Sequence, residues 1–206
     1  MNRIITISRE FGSGGRELGK RLSEAMGIAY YDREIITAIA EKSHLAQSYV
    51  QSISEKGTYV YPIHYGRTFS FRPVNQDNQA KVLVAQQQIL QELAETSDCV
   101  IVGRCADVIL HDYHPLNLFV YADMASKLIR CREKAFCDEA LSEKAMEKKI
   151  RQVDAGRAHY RQLLADSKWD AKENYQLCIN TSGTVIKNLI PPILSYANCW
   201  FGEALQ

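Results

Sequence analysis

The sequence predicts an α/β fold in which a five-stranded parallel sheet is covered by helices. Short β-branched runs alternate with longer helical stretches, which is how such a fold reads along a chain. Most of those runs are continuously apolar rather than alternating, as expected for strands buried on both faces. At 206 residues the chain is long enough for one sizeable domain with inserted subdomains and short for two independent ones, so residues 1–206 are read as a single domain.

The first strand is placed at residues 3–8, where Ile4, Ile5 and Ile7 cluster. A helix over 16–26 follows, because Leu18, Leu22, Ala25 and Met26 recur at helical spacing and Gly27 stands where a C-terminal cap belongs. Residues 28–31 form a short second strand. Residues 33–98 exceed what a crossover needs and read as an inserted subdomain: a helical start over 34–42, an aromatic stretch over 59–67, and a polar helix over 78–95. The third strand is 99–103 and the fourth 116–122. Helices over 126–136 and 142–164 come next, the second strongly charged, and the fifth strand is 176–181. A last helix over 184–197 contains Pro191 and Pro192, which are expected to kink or break it. No internal repeat or low-complexity segment is present.

Lys plus Arg total 25 and Asp plus Glu 24, a net charge of +1, so no global field favours a nucleic-acid polymer or an anionic membrane, and anion binding has to be local. The hydrophobic share of 46% excludes a largely disordered chain, and no apolar run is long enough to span a bilayer. Residues 1–7 carry no signal-peptide pattern, which makes the cytoplasm the expected location. The six cysteines include no Cys-x-x-Cys pair and are expected to be reduced and mostly buried. The histidines have no metal-binding spacing, and no Gly-x-Ser-x-Gly elbow supports a hydrolase triad.

The main chemical signal is the run from Ser8 to Leu18, with Gly12, Ser13, Gly14 and Gly15 between a strand and a helix. Glycines at that junction let the backbone curl around a phosphate, with amides and the helix N-terminus facing the anion. Two templates compete. The dinucleotide fingerprint fails at its third glycine, which is Glu17, although Asp32 stands about 20 residues on at a ribose-acid position. The mononucleotide loop fails because no lysine and no Ser/Thr follow Gly14 or Gly15.

Taken together, residues 8–19, Tyr31-Asp32-Arg33-Glu34-Ile35, Val102-Gly103-Arg104 and the run 174–182 resemble the cytidylate kinase-like family of P-loop kinases over essentially the whole chain. The resemblance implies a three-layer P-loop NTPase fold and transfer of the γ-phosphoryl group of ATP to CMP or dCMP, with Mg²⁺ as the metal. It also implies a nucleoside-monophosphate-binding insert over 33–98 and an arginine-bearing lid over about 151–172. Partners would be small nucleotides, with homo-oligomerisation left open. An ungapped match places Gly15 at the lysine position. Arg16 then becomes the substitute cation, Glu17 the Mg²⁺ contact, and Gly12, Ser13, Gly14 and Gly15 the phosphate cradle. The absent lysine also motivates two other readings, a nucleotide-binding protein without turnover and a kinase for another small phosphate acceptor.

Phosphoryl transfer asks a protein mainly for positioning and charge neutralisation, so arginines should converge on the loop. Arg104 follows the third strand and is aimed at the acceptor phosphate. Asp154, Arg157 and Arg161 share a helix face, with Arg151 three residues before; the pattern fits either a lid clamp or an ordinary solvated face. Asp32 and Arg33 match the start of the monophosphate site, Arg33 for the phosphate and Asp32 for a sugar or base edge, or else Asp32 is a helix N-cap. Catalytic roles are thus expected for Arg16, Arg104, Arg157 and Arg161, and substrate-binding roles for Asp32, Arg33, Arg104 and Asp154.

Overall fold

A computed structural model of the chain describes residues 2–32, 34–48, 50, 76–134 and 141–202. Five strands, β1 (Ile4–Arg9), β2 (Ala29–Tyr31), β3 (Cys99–Val102), β4 (Leu116–Tyr121) and β5 (Leu177–Asn180), form one sheet in the order β2-β3-β1-β4-β5. All four pairings are parallel. In register, Ile7 lies beside Val102 on one side and Leu118 on the other, so the carboxyl ends of β1, β3 and β4 open on the same edge.

Parallel strands buried on both faces need helices on both faces. On one face Ile5, Ile7, Val100, Val102 and Leu118 pack against α1 (Gly15–Met26) and α7 (Ile190–Trp200). Leu18 and Leu22 of α1 are fully buried, and burying each stabilises the layer by about 1.5–3 kcal/mol. Gly19 lets α1 approach closely, since a Cβ there would stand 2.9 Å from Ile7 Cδ1. On the other face Ile4, Cys99 and Ile101 pack against α2 (Glu34–Ser43), α3 (Gln76–Thr96) and α4 (Ala106–Ile109), with Tyr160 of α6 (Glu143–Leu164). The remaining helix, α5 (Met124–Lys134), follows β4.

Strand and helix positions agree with the sequence reading to within about two residues. The prolines act differently from expectation. Pro191 and Pro192 lie in the first turn of α7, where the missing amides have no intrahelical partner to lose, so they start a helix instead of breaking one. The expected beginning at 184–189 is a separate 3-10 turn, Ile186–Leu189. Of the cysteines, Cys99 and Cys105 are buried, Cys131 is half-buried, and Cys178 and Cys199 are exposed, all five with free thiols; Cys137 is outside the described residues. "Mostly buried" is thus corrected for this group, because Cys178 sits on the edge strand β5 and Cys199 near the end of the last helix.

Candidate active site

The glycine loop lies beyond the carboxyl end of β1. Gly14 takes a left-handed conformation, φ 83°, and is the residue from which α1 starts, a geometry that favours glycine. Among the described residues, the amides of Gly14, Gly15 and Arg16 donate to no protein acceptor, so the start of α1 presents a row of N–H groups.

The rest of the loop is tied down. Ser13 is fully buried; its hydroxyl donates to Glu10 O at 2.8 Å, and its carbonyl accepts from Thr181 Oγ1 at 2.7 Å. Asp154 Oδ1 accepts from Phe11 N at 2.7 Å. Lys127, on α5 and buried, joins Glu10 Oε2 at 2.7 Å and Asp154 Oδ2 at 3.4 Å. Burial pushes the Asp154 carboxyl above the usual range, against the lowering effect of Phe11 N, Arg157 and Lys127. Asp154 therefore anchors the loop backbone, which differs from the substrate-binding role expected of it. A Cβ on Gly12 would stand 3.0 Å from Cys131 Sγ, so α5 backs directly onto the loop.

Arg9 is the feature that sequence reasoning missed. It ends β1, and its side chain fills the space that a side chain at position 15 would need: a Cβ on Gly15 would lie 2.6 Å from Arg9 Cβ. Its guanidinium crosses to the end of β3, where a Cβ on Gly103 would fall 1.8 Å from Nη1. The missing lysine was the signal that could have found it, since a phosphate loop without its cation needs one from a neighbouring strand end.

Around Arg9 lies a cleft of about 430 Å³, counting the solvent at its mouth, with Ser8, Gly103, Arg104, Cys105, Arg157, Tyr160 and Trp169 as its other lining residues. Arg104 takes a left-handed φ of 61°, uncommon for a residue with a Cβ, and its carbonyl accepts from Gln86 Nε2 at 2.8 Å. Tyr160 donates its hydroxyl to Gln86 Oε1 at 3.0 Å, so a helix of the insert and α6 jointly hold that turn. Arg157 donates to Arg9 O at 2.8 Å and stacks over the Phe11 ring. Burial, and then the charges of Arg157, Arg16 and Arg104, push the Arg9 pKa well down, with Asp32 opposing them. Burial raises the Cys105 thiol to about 12, so it lines the cleft as a neutral group.

Other expected site residues go elsewhere. Arg16 is 42% exposed and its Nε meets Asp32 Oδ2 at 2.7 Å, so its head points to the end of β2 rather than into the loop. Asp32 is buried and faces Arg16 and Arg9, a carboxylate that orients guanidiniums. Glu17 accepts from Arg21 Nε at 3.0 Å, one turn along α1. Arg161 is not on an open lid face. Its side chain is 4% exposed and paired with Asp107, itself 3% exposed, with Ser167 Oγ as a further acceptor at 3.0 Å. The face that carries Arg157 and Arg161 turns inward because Ile150, Gly156 and Tyr160 on the same helix are buried. Arg33, like Arg67 and Arg72, lies outside the described residues.

An all-parallel β2-β3-β1-β4-β5 sheet, helices on both faces and a glycine loop from β1 into α1 define the P-loop kinase fold. The chain belongs to the cytidylate kinase-like family, whose profile matches residues 4–183. Among solved structures it is similar to an uncharacterized protein from Eubacterium ventriosum, at 25% identity and TM-score 0.67, covering 96% of this chain and 99% of that one. It is also similar in fold to a shikimate kinase from Bacteroides thetaiotaomicron, at 16% identity and TM-score 0.56 over 94% and 97% of the two chains. A gluconokinase from Sinorhizobium meliloti matches at 12% identity and TM-score 0.53 over 98% of each chain. The comparison with curated proteins gives no match.

Proposed function

We propose that the chain is an ATP-dependent phosphotransferase acting on a nucleoside monophosphate, CMP or dCMP, in the cytoplasm. The observation that carries this reading is the arginine-lined cleft beside the unaccepted amides of Gly14, Gly15 and Arg16. Amides at a helix start suit a polyphosphate, and guanidiniums hold an acceptor phosphate bidentately. Proximity and charge neutralisation are most of what phosphoryl transfer requires.

In this reading Gly12 to Arg16 cradle the ATP phosphates. Arg104 and Arg157 hold the acceptor phosphate, with Arg33 beside them. Asp32 orients Arg16, and Arg161 fixes the end of α6 against Asp107. The region 33–98 receives the monophosphate and about 151–172 serves as the lid of the single domain 1–206. Mg²⁺ would neutralise charge on the phosphate oxygens. The carboxylates nearest the loop are engaged by Lys127, Phe11 N, Arg16 and Arg21, and among the described residues no cluster of three His, Cys, Asp or Glu could hold a metal. Such a donor set suits an ion held mainly by phosphates and water, with Glu17 as the protein carboxylate.

A coupled ADP-release assay over a panel of nucleoside monophosphates tests the reading. Turnover is expected with CMP or dCMP, and its absence with every acceptor rejects the catalytic part. A second reading, ATP binding without transfer, draws on Gly15 at the lysine position; calorimetric ATP binding with no ADP release would favour it.

A further inference from the structure

Arg9 is an unusual group to find in a protein interior. Its side chain is 12% exposed and carries five N–H donors. Among the described residues that guanidinium donates no hydrogen bond, and its one ion pair is a long one, Nη2 to Asp32 Oδ1 at 3.8 Å. Buried polar groups ordinarily have their hydrogen bonds satisfied, and leaving one unsatisfied is expensive. Here the donors line a cleft that Arg104 and Arg157 also line. Two glycines, Gly15 and Gly103, leave the room the side chain occupies, and any other residue at either position would collide with it. The site is thus built around a cation whose partner is not part of the protein.

We infer that Arg9 is a substrate-binding residue whose guanidinium receives an anionic oxygen pair, a phosphate group of the substrate, and that the cation absent from loop position 15 is supplied from the end of β1. The inference deepens the phosphotransferase reading and rests on it for which phosphate is bound. Lysine at position 15 and arginine at position 9 exclude each other sterically, so the glycine that breaks the usual loop pattern is a requirement of the replacement. A guanidinium fork also suits two phosphate oxygens better than a point-like ammonium does. Bound phosphate would relieve the mutual repulsion of Arg9, Arg16, Arg104 and Arg157.

The test is equilibrium binding of inorganic phosphate and of CMP to the full chain by calorimetry, for wild type, Arg9→Met and Arg9→Lys, with thermal melts of each ligand-free protein. Arg9→Met keeps the length of the side chain and removes the donors. Its phosphate affinity should fall roughly 10- to 100-fold, the loss expected for deleting a charge-assisted hydrogen-bond pair. Arg9→Lys should lose less, and the ligand-free melting temperature of Arg9→Met should stay level or rise, because a buried repulsive charge is gone. Unchanged phosphate affinity in Arg9→Met overturns the inference, as does a lowered melting temperature with affinity intact, or no phosphate binding by wild type. If Arg9→Met does not fold, Arg9→Lys decides, and wild-type affinity in that variant overturns the bidentate role. Phosphate binding that depends on Arg9, with no CMP turnover, keeps this inference and removes the cytidylate reading. CMP turnover and phosphate affinity that ignore Arg9→Met do the reverse.

Discussion

Restoring the loop lysine is the change a sequence comparison would suggest, and the structure predicts that it damages the protein. A Cβ at position 15 would stand 2.6 Å from Arg9 Cβ, 3.1 Å from Arg9 Cγ and 3.4 Å from Val120 Cβ. The nearest of these atoms is fixed to the backbone, so β1 or α1 has to shift. Overpacking of this kind costs about 1–3 kcal/mol. Gly15 is the first residue of α1, and the gain in helix propensity from alanine is at most about 1 kcal/mol. Gly15→Ala should therefore destabilise by a net of about 1–2 kcal/mol, a fall of about 2–8 °C in melting temperature for a chain of this size. Gly15→Lys should fall at least as far, with no gain in ADP release. Thermal melts by circular dichroism read the effect, and the double variant Arg9→Gly with Gly15→Ala should recover part of the loss because both clashing atoms are removed. A Gly15→Ala protein as stable as wild type, or more so, would refute the steric argument.

The buried pair Arg161 and Asp107 should be far more costly to break than a surface pair: Arg161→Met is expected to lose about 3–5 kcal/mol in urea unfolding, whereas Arg151→Ala, whose partner Glu147 is exposed enough to be solvated, should stay within about 1 kcal/mol. Gln86→Leu strands the Arg104 carbonyl and the Tyr160 hydroxyl, so it should lose about 1–3 kcal/mol per orphaned group and raise the acceptor KM more than it lowers kcat; a variant with wild-type stability and KM would show that the left-handed turn at Arg104 holds without it. Asp98 is pushed up by burial and pulled lower by hydrogen bonds from Arg3 N and Nε, with the net effect below its usual 3.8. A depressed folded pKa contributes stability above the unfolded value and loses it as pH falls through the folded one. Asp98→Asn should accordingly be less stable than wild type at neutral pH, with the gap closing below about pH 4; a gap that persists to the lowest pH at which the protein stays folded would contradict this.

The strands and most helices were legible because their signals are local. A strand such as residues 99–102 is apolar throughout, and Leu18 and Leu22 repeat at the spacing of one helix face. Proline at the end of a chain segment is ambiguous in one dimension, since the same pair can stop a helix or start one, and the start of α7 was decided by where the preceding 3-10 turn delivers the backbone. The helix face with Asp154, Arg157 and Arg161 was equally ambiguous: spacing groups the charges but leaves open whether the face meets water or the sheet.

What the sequence determined by itself was the alternation of apolar runs, the glycine-rich junction between β1 and α1, and the absence of a lysine there, all properties of neighbours along the chain. What only the tertiary structure decided was which cations face the cleft. Arg16, next to the loop in sequence, turns to Asp32 at the end of β2, while Arg9 reaches across the end of β3 because Gly15 and Gly103 leave its path open. Side-chain direction depends on where strand ends meet after the sheet has formed, and residues 9, 15 and 103 meet only there.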